Sequence, residues 1–411
     1  MSEWCSIEDV YEAYLDCKKR KSKSTSYARF AANEAANIYD LWKDLNDHTY
    51  EIGKSDAFCV TRPKVREVFA AQFRDRIVHH LVMLRLLPHF ERVFIQDTYN
   101  CRKRKGTDYG IDRVALFMQE HPDGWVLKCD LRCFFMNIDK AYLAANLERF
   151  IRANYIAPDT DEIVALVRQI VLHRPETRCI RKGDLSLWNE LQKGKSLFDR
   201  DGNHGLAIGN LTSQIFANFY LLPLDEWLSK KEGVCYGRYV DDFVLVSDDK
   251  RLLLSLLPEI RAFLQREMSL TLHPDKIYLQ PVRHGVKFLG SVIKNGRKYA
   301  GNRTVSNTID LVREYDFVKD KEQHIEKFMQ RYNSYMGYLK HRKTYSIRWR
   351  VWKMARSVVG KYTYMINNLC VLKIKNEYKQ ITNYKKLYSH GKRYHAERRI
   401  SKGCACIYAQ R

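Results

Sequence analysis

The sequence lacks the features that would place this chain in a membrane, a secretory route or a repeat architecture. No stretch approaches the roughly 18 consecutive apolar residues of a membrane-spanning helix. The N-terminal segment carries acids early and has no apolar core of a signal peptide. No internal repeat is visible, which argues against a solenoid. No linker rich in Gly, Ser or Pro divides the chain, so we expect units that pack continuously.

Acidic residues are scarce relative to basic ones. The chain has 71 Lys and Arg against 48 Asp and Glu, a formal net charge of +23 and a pI near 9.5. Such an excess favours a polyanionic partner, because each neutralised phosphate releases counterions. The 45% hydrophobic content indicates a globular chain with a large core. We therefore expect nucleic acid, and not a membrane surface, as the partner.

The eleven cysteines show no disulfide framework, and several lie in or beside apolar runs. We interpret them as reduced thiols of a cytoplasmic protein. A C-terminal group could in principle bind zinc: His390, His395, Cys404 and Cys406. Its spacing matches no familiar zinc finger, and a C-x-C step suits a closed tetrahedral site poorly. A basic tail is the favoured interpretation.

Hydrophobic periodicity predicts an α+β fold. Helices are expected at 7–20 and 26–46, and a helical stripe of Phe69, Phe73, Ile77, Leu81 and Leu84 is expected to end at Pro88. Residues 125–130 read as a strand, and 234–249 and 288–301 as hairpins, the latter turning at Asn295-Gly296. Further helices are expected at 140–152, 160–172, 212–230 and 250–266. This order predicts a sheet with helices over one face.

The segment after residue 305 has a helical, basic and aromatic pattern. Arginines and lysines alternate with aromatic residues in a run that contains Arg331, Tyr332, Tyr335, Tyr338, Lys340, Arg342, Lys343, Tyr345, Arg348, Trp349 and Arg350. Such mixing suits a surface that holds a nucleic-acid strand or duplex. The alternative is a helical bundle whose long side chains cover their own apolar surface.

Three carboxylates carry the chemistry. Asp241 and Asp242 stand in the turn of an apolar hairpin, where Asp is also common for local capping. Asp130 ends an apolar strand; if strands 125–130 and 234–240 are neighbours, Asp130 lies beside the hairpin turn and the three acids share one sheet end. Clustered carboxylates suit Mg²⁺, which keeps waters and takes phosphate oxygens at its other positions. Two such ions can activate a primer 3′-hydroxyl and stabilise departing pyrophosphate.

Five ordered motifs resemble those of reverse transcriptases. DLRCFFMNI resembles the first catalytic motif, GLAIGNLTSQIFANFYL the second, YVDD the third, LHPDKIYL the fourth and GVKFLG the primer-contacting hairpin. The resemblance spans roughly residues 26–345. It implies a right-hand polymerase: an N-terminal helical segment 1–50, fingers 51–125, palm 126–300 with an insert at about 150–205, a helical thumb 301–370 and a basic tail 371–411.

The resemblance also assigns site residues by motif position. Asp130, Asp241 and Asp242, with the carbonyl of Leu131, would hold two Mg²⁺ ions, for which Mn²⁺ could substitute, and Lys276 would assist departing pyrophosphate. The remaining matches concern substrate: Arg66, Arg102, Lys105, Phe135, Ile208, Gly209 and Gln214 for the dNTP, and Phe288, Leu289 and Gly290 for the primer. A bulky Phe135 would exclude a 2′-hydroxyl, although an ordinary core aromatic is the alternative.

The second motif resembles the version found in diversity-generating retroelements. Ile208 stands where many reverse transcriptases have Gln, and Gln214 where many have Pro. KSLF at 195–198 and CRKRKGTDYGIDR at 101–113 also resemble that subfamily. The resemblance implies error-prone copying of a template-repeat RNA, mostly opposite adenines, with a small basic accessory protein as partner. Ile offers no hydrogen bond to the nascent pair, which would relax fidelity by roughly a few-fold.

Other functions stay open at this point. A phage-defence, retron or group II intron enzyme would share the scaffold, although about 65 residues after the thumb-like segment, without a His-Asn-His arrangement, disfavour the intron type. A catalytically retired RNA-binding scaffold is disfavoured because every metal carboxylate is present. Phe135 speaks against a primer-dependent RNA polymerase. The sequence predicts an enzyme of a bacterial or phage-infected cell that binds RNA template, DNA or RNA primer and dNTPs.

Overall fold

A computed structural model of the chain describes residues 3–19, 24–61 and 64–378. The chain divides into two compact units, Met1–His284 and Gly285–Arg411. Both units mix helices and strands, so the predicted α+β class is confirmed. The His and Cys residues considered for zinc lie outside the described residues, and the described cysteines are thiols.

The first unit holds most of the helices. They are α1 Ile7–Lys18, α2 Thr25–Ala31, α3 Glu34–Asn46, α4 Phe73–Val93, α5 Thr107–Glu120, α6 Phe134–Asn137, α7 Lys140–Asn154, α8 Thr160–Leu172, α9 Leu211–Tyr220, α10 Leu222–Ser229 and α11 Lys250–Met268. Short 3₁₀ turns add Pro175–Thr177, Leu185–Glu190, Leu197–Asp199, Pro274–Lys276 and Val282–His284. The strands of this unit are β1 Ser55–Val60, β2 Arg66–Ala70, β3 Trp125–Asp130, β4 Cys179–Arg181, β5 Cys235–Tyr239, β6 Asp242–Ser247 and β7 Tyr278–Pro281.

The predicted helix ending at Pro88 was wrong at both ends. Phe69 belongs to β2, and α4 begins only at Phe73. The helix then continues through Pro88 to Val93. A proline inside a helix removes one hydrogen bond and costs about 3 kcal/mol. Phe90, two residues beyond, is fully buried in the core, and its packing keeps the last turn helical.

The central sheet has the strand order β5-β6-β3-β7 and is antiparallel throughout. All residues of β6 from Phe243 to Ser247 are buried. Because successive side chains point to opposite faces, both faces of β6 are covered, and the prediction of helices over one face was wrong. A second sheet joins β2, β1 and β4, with β4 parallel to β1.

The second unit begins with the antiparallel strands β8 Val286–Phe288, β9 Ser291–Lys294 and β10 Arg297–Ala300. Three helices follow, α12 Asn302–Asp316, α13 Lys321–Lys340 and α14 Tyr345–Val359, and then a hairpin of β11 Thr363–Ile366 and β12 Val371–Ile374. The turn at Asn295-Gly296 is confirmed, with φ of 48° and 65°. The sequence pattern missed the final hairpin, which lies partly in the segment expected to be helical.

The basic and aromatic run of the second unit is not one exposed surface. Tyr332 is fully buried, and Arg342 and Arg348 are each only 6% exposed. Arg342 stacks on Tyr338 and donates from Nε to Ser291 Oγ at 2.7 Å. These three residues of the predicted nucleic-acid surface are therefore bundle interior, as the alternative interpretation expected, while Tyr345 and Trp349 do face solvent.

Candidate active site

The three carboxylates lie at one end of the central sheet. Asp130 is the last residue of β3 and pairs directly with Asp242, the first residue of β6. Residues directly opposite on neighbouring strands project to the same face, so these two side chains share a face. Asp241 stands in the two-residue loop before β6, and its carbonyl accepts from Leu131 N at 3.0 Å. The sequence predicts strand 125–130 beside strand 234–240, and this was wrong, because β3 pairs with β6, the second strand of the hairpin. Asp130 nevertheless lies beside the hairpin turn, as expected.

The loop that carries Asp241 is conformationally unusual. Tyr239 pairs with Asp242, leaving Val240 and Asp241 as the two loop residues. Val240 has φ of +58°, which is uncommon for a β-branched residue because Cβ approaches the backbone. Such backbone costs about 1–3 kcal/mol and persists only where its surroundings hold it. The Val240-Asp241 turn is therefore a strained backbone segment that the surrounding residues must keep in place.

Two lysines contact the carboxylates. Lys276 Nζ lies 2.6 Å from Asp130 Oδ1, and Lys128 Nζ lies 3.1 Å from Asp242 Oδ2. Lys128 precedes Asp130 by two residues on β3, so both project to the face that Asp242 occupies. Lys276, predicted from the fourth motif to aid pyrophosphate departure, is thus brought to the carboxylates. Lys128 was not predicted from the sequence, although the period of two along β3 places it on the same face as Asp130.

The buried acids resist ionisation. Burial, opposed in part by Lys128, raises the pKa of Asp242 to about 7. Burial and then the negative charge of Asp130 raise the pKa of Asp241, while the positive charges of Lys276 and Arg66 oppose that rise. Crowded carboxylates that are kept partly protonated are the arrangement that a divalent cation would relieve.

The donor set fits Mg²⁺. Asp242 Oδ1 is buried and accepts a hydrogen bond from none of the described residues, so it has a lone pair to offer. Carboxylate and carbonyl oxygens are the ligands that Mg²⁺ prefers. Among the described residues, no three His, Cys, Asp or Glu side chains already converge on one point; the two lysines hold Asp130 and Asp242 in ion pairs instead.

Phe135 and Ile208 belong to one apolar cluster. Both pack against the buried side chains of Ala57, Phe69, Met136 and Leu197. Phe135 is half-buried, whereas its neighbour Phe134 is only 2% exposed. Phe134 is therefore the core aromatic of the pair. Leu197, from the KSLF motif at 195–198, belongs to the same cluster. The cluster therefore joins that motif to the residues expected to line the nucleotide pocket.

Gly209 brings the second motif against the β1–β2 hairpin. Phe69 N donates to Ile208 O at 2.9 Å. Gly209 has φ of +129°, and a Cβ there would meet Phe69 O and the side chain of Val68, each at 2.9 Å. Only glycine combines that backbone with such close approach. Gln214, half-buried on α9, accepts from Asn100 Nδ2 at 3.3 Å, so its amide is tied to protein.

Arg102 and Lys105, predicted to contact the triphosphate, both form hydrogen bonds within the protein. Arg102 has a side chain only 6% exposed; it donates to Glu91 Oε2 at 2.9 Å and to Thr98 O at 3.2 Å. Lys105 Nζ donates to the carbonyl of Gln96, and burial, followed by the charge of Arg102, lowers its pKa to about 8. Both side chains thus bond to groups of the protein, and their contact with a triphosphate stays a prediction. The weaker candidate, Arg66, is exposed on β2 and acts electrostatically on Asp241.

The predicted primer-contacting residues lie in the second unit. Phe288 is fully buried, and Leu289 and Gly290 form the turn between β8 and β9 with φ of 49° and 80°. Behind the turn, Tyr338 OH lies 3.0 Å from Ser291 Oγ. A side chain on Gly290 would meet that hydroxyl at 3.0 Å. The Tyr338 side chain therefore packs against the turn and supports it.

Comparison with known proteins identifies the architecture. A family model described as reverse transcriptase (RNA-dependent DNA polymerase) matches residues 52–293, more than half of the chain. Protein YkfC of Escherichia coli (strain K12) is 26% identical over 267 residues, covering 60% of this chain and 68% of that protein. None of the described helices is long and apolar enough to cross a membrane.

Two solved telomerase structures are similar to this chain. Apo telomerase from Candida tropicalis, truncated from its C-terminal domain, has a TM-score of 0.44 at 12% identity over 59% of this chain and 53% of that one. Telomerase from Candida albicans in complex with a fragment of telomeric RNA has a TM-score of 0.42 at 11% identity, over 75% and 55% respectively. The chain thus spans about half the length of these telomerase chains.

Proposed function

Because the chain belongs to the reverse transcriptase (RNA-dependent DNA polymerase) family, we propose that it extends a primer with dNTPs on an RNA template. The observation that carries this proposal is the placement of the acids: Asp130 and Asp242 lie opposite each other on neighbouring strands, and Asp241 stands in the adjoining turn. Within the proposal, the RNA template and the DNA or RNA primer are the partners that the basic chain binds.

Each residue of the site has a proposed part. Asp130, Asp241 and Asp242, with the carbonyl of Leu131, would hold two Mg²⁺ ions, which supply charge to activate the primer hydroxyl and to stabilise the leaving group. Lys276, already in contact with Asp130, is placed to neutralise or protonate pyrophosphate as it departs. The positive charge of Arg66 acts on Asp241. Arg66 is therefore the favoured triphosphate contact among Arg66, Arg102 and Lys105.

We further propose that the enzyme is the error-prone polymerase of a diversity-generating retroelement, copying a template-repeat RNA with the aid of a small basic accessory protein. The support is the second motif. Ile208 packs with Phe135 in an apolar cluster, so it presents hydrocarbon where a Gln would offer hydrogen bonds. Losing one such positioning bond removes about 1 kcal/mol of discrimination, which relaxes selection of the correct base.

The test is the error spectrum of the purified chain. DNA made on a primed RNA template in Mg²⁺ is sequenced, with and without a candidate accessory protein encoded beside it. Misincorporation concentrated opposite template adenines supports the diversity element. Faithful copying would refute that subtype while leaving the polymerase assignment intact, and would promote a phage-defence role. Absence of DNA synthesis under both conditions would refute the polymerase itself.

A further inference from the structure

A buried ion pair lies directly behind the strained turn. Arg238 on β5 and Asp225 on α10 both have fully buried side chains. The guanidinium donates to both carboxylate oxygens, from Nε to Oδ1 at 2.6 Å and from Nη2 to Oδ2. Tyr236 OH and Thr98 Oγ1 also donate to Asp225, at 2.7 and 2.9 Å. The carboxylate is thereby fully coordinated and holds the guanidinium in a single orientation.

The third nitrogen of the Arg238 guanidinium binds the turn. Arg238 Nη1 donates to the carbonyl of Val240 at 2.9 Å. Val240 is the residue with φ of +58°, and the carbonyl that Arg238 binds belongs to the peptide that joins Val240 to Asp241. A hydrogen bond at this carbonyl sets the orientation of that peptide. It therefore restrains the backbone from which the Asp241 side chain projects.

The same guanidinium connects the turn to the second motif. Arg238 Nη2 also donates to Asn218 O at 3.3 Å, and Asn218 Nδ2 donates to Asn100 O at 2.7 Å. Asn100 in turn donates to Gln214. These contacts link Gln214 on α9, through Asn100 and Asn218, to the guanidinium that binds the carbonyl of Val240.

Stability alone does not account for a buried pair of this kind. Desolvating two charges costs about as much as their attraction returns, and apolar residues of similar volume are often as stable or more so. Directionality does account for it, because arginine can bind a carboxylate and a carbonyl at fixed angles whereas lysine cannot. A strained residue also needs a partner that prevents its relaxation.

We propose that Arg238, oriented by Asp225, is a positioning residue that holds the Val240-Asp241 turn in the geometry required for metal binding. This inference rests on the proposed role of Asp241 as a metal ligand. Arg238 itself touches neither substrate nor metal. The motif predicts that Gln214 contacts the dNTP. Under the proposal, Gln214 also acts on the turn through Asn100 and Asn218.

The first test compares Arg238→Lys with Tyr236→Phe. The lysine variant keeps the buried charge but cannot reach Asp225 and Val240 O together, whereas the phenylalanine variant removes one bond to Asp225 and leaves Arg238 on Val240. A hydrogen bond to a charged group corresponds to roughly a 10- to 100-fold effect. In the full-length protein on a primed RNA template, we expect Arg238→Lys to lower the single-turnover rate at saturating dNTP by about tenfold or more and to raise the Mg²⁺ concentration for half-maximal rate.

The control readouts separate positioning from folding. Primer–template affinity should stay within about twofold of the native value in both variants, and Tyr236→Phe should keep nearly native rate and Mg²⁺ dependence. A native rate and Mg²⁺ dependence in Arg238→Lys would overturn the inference. Lack of DNA synthesis by the native chain would instead count against the proposed function, so the two failures are distinguishable.

A second variant covers the case in which a buried lysine is not tolerated. The double substitution Asp225→Leu with Arg238→Met removes both charges, a change that folded proteins often accept. We expect a folded protein by circular dichroism that has lost at least as much rate as Arg238→Lys. A fully active double variant would overturn the inference, as would failure of both variants to fold, since the pair would then serve folding only.

Discussion

Asp242 should destabilise the metal-free protein at neutral pH. Its pKa rises from the ordinary 3.8 to about 7 because the side chain is buried. The folded state therefore binds the proton more tightly than the unfolded state, so the stabilising contribution is complete below pH 3.8 and is lost as pH rises through 7. At pH 8 the difference amounts to about 4 kcal/mol at most. Residual solvent access, at 19% side-chain exposure, reduces the expected effect to about 2 kcal/mol.

The substitution Asp242→Asn tests this reasoning, because Asn resembles the protonated acid and carries no charge at any pH. In EDTA, we expect the variant to be more stable than the native chain by about 2 kcal/mol at pH 8, with a smaller gain at pH 5. Urea unfolding followed by circular dichroism measures the difference. Asp161→Asn is the matched control, since that carboxylate is 79% exposed and surface pairs contribute little.

Magnesium should reverse the order of stability. A ligand that binds only the folded state at about 100 times its Kd adds about 2.7 kcal/mol, and the native chain should gain this stabilisation while Asp242→Asn gains much less. An Asn variant that is no more stable than the native chain in EDTA at pH 8 would refute the burial argument. An equal response of both proteins to Mg²⁺ would refute the role of Asp242 as a metal ligand.

Three further substitutions test the nucleotide pocket and its support. Ile208→Gln restores a hydrogen-bonding side chain and should lower misincorporation opposite adenine by roughly a few-fold; an unchanged error spectrum in sequenced cDNA contradicts its role. Gly209→Ala should cost about 1–3 kcal/mol of stability in urea unfolding, because the new methyl meets Phe69 O at 2.9 Å and φ is +129°; native stability contradicts the close-approach argument. Phe135→Ala should raise ribonucleotide incorporation relative to dNTPs by about tenfold or more in primer extension, and unchanged discrimination would leave Phe135 an ordinary core aromatic.

Local patterns in the sequence predicted the elements that carry the site. The strand ending at Asp130, the hairpin around Asp241 and the order of helices between them follow from short-range periodicity and turn chemistry. The neighbour of the first strand was predicted wrongly: the sequence placed 125–130 beside 234–240, whereas β3 pairs with β6. Strand order is a long-range property, so short-range patterns did not give it, although they did bring Asp130 to the hairpin turn.

The errors arose where packing in the folded chain decides the outcome. Pro88 looked like a helix end, yet packing of Phe90 carries the helix onward. Tyr332 looked like part of a nucleic-acid surface and is core. Hydrophobic periodicity does not show how deeply a side chain is buried by the rest of the fold, so it could not have decided either case.

The most direct measurement of the central claim is primer extension on an RNA template by the native chain and by the double substitution Asp241→Asn with Asp242→Asn. The native chain should make DNA only when Mg²⁺ or Mn²⁺ is present. The double variant should stay folded by circular dichroism and make no DNA, because two of the three proposed carboxylate ligands lose their charge. Equal extension by the two proteins would contradict the assignment of these carboxylates to catalysis.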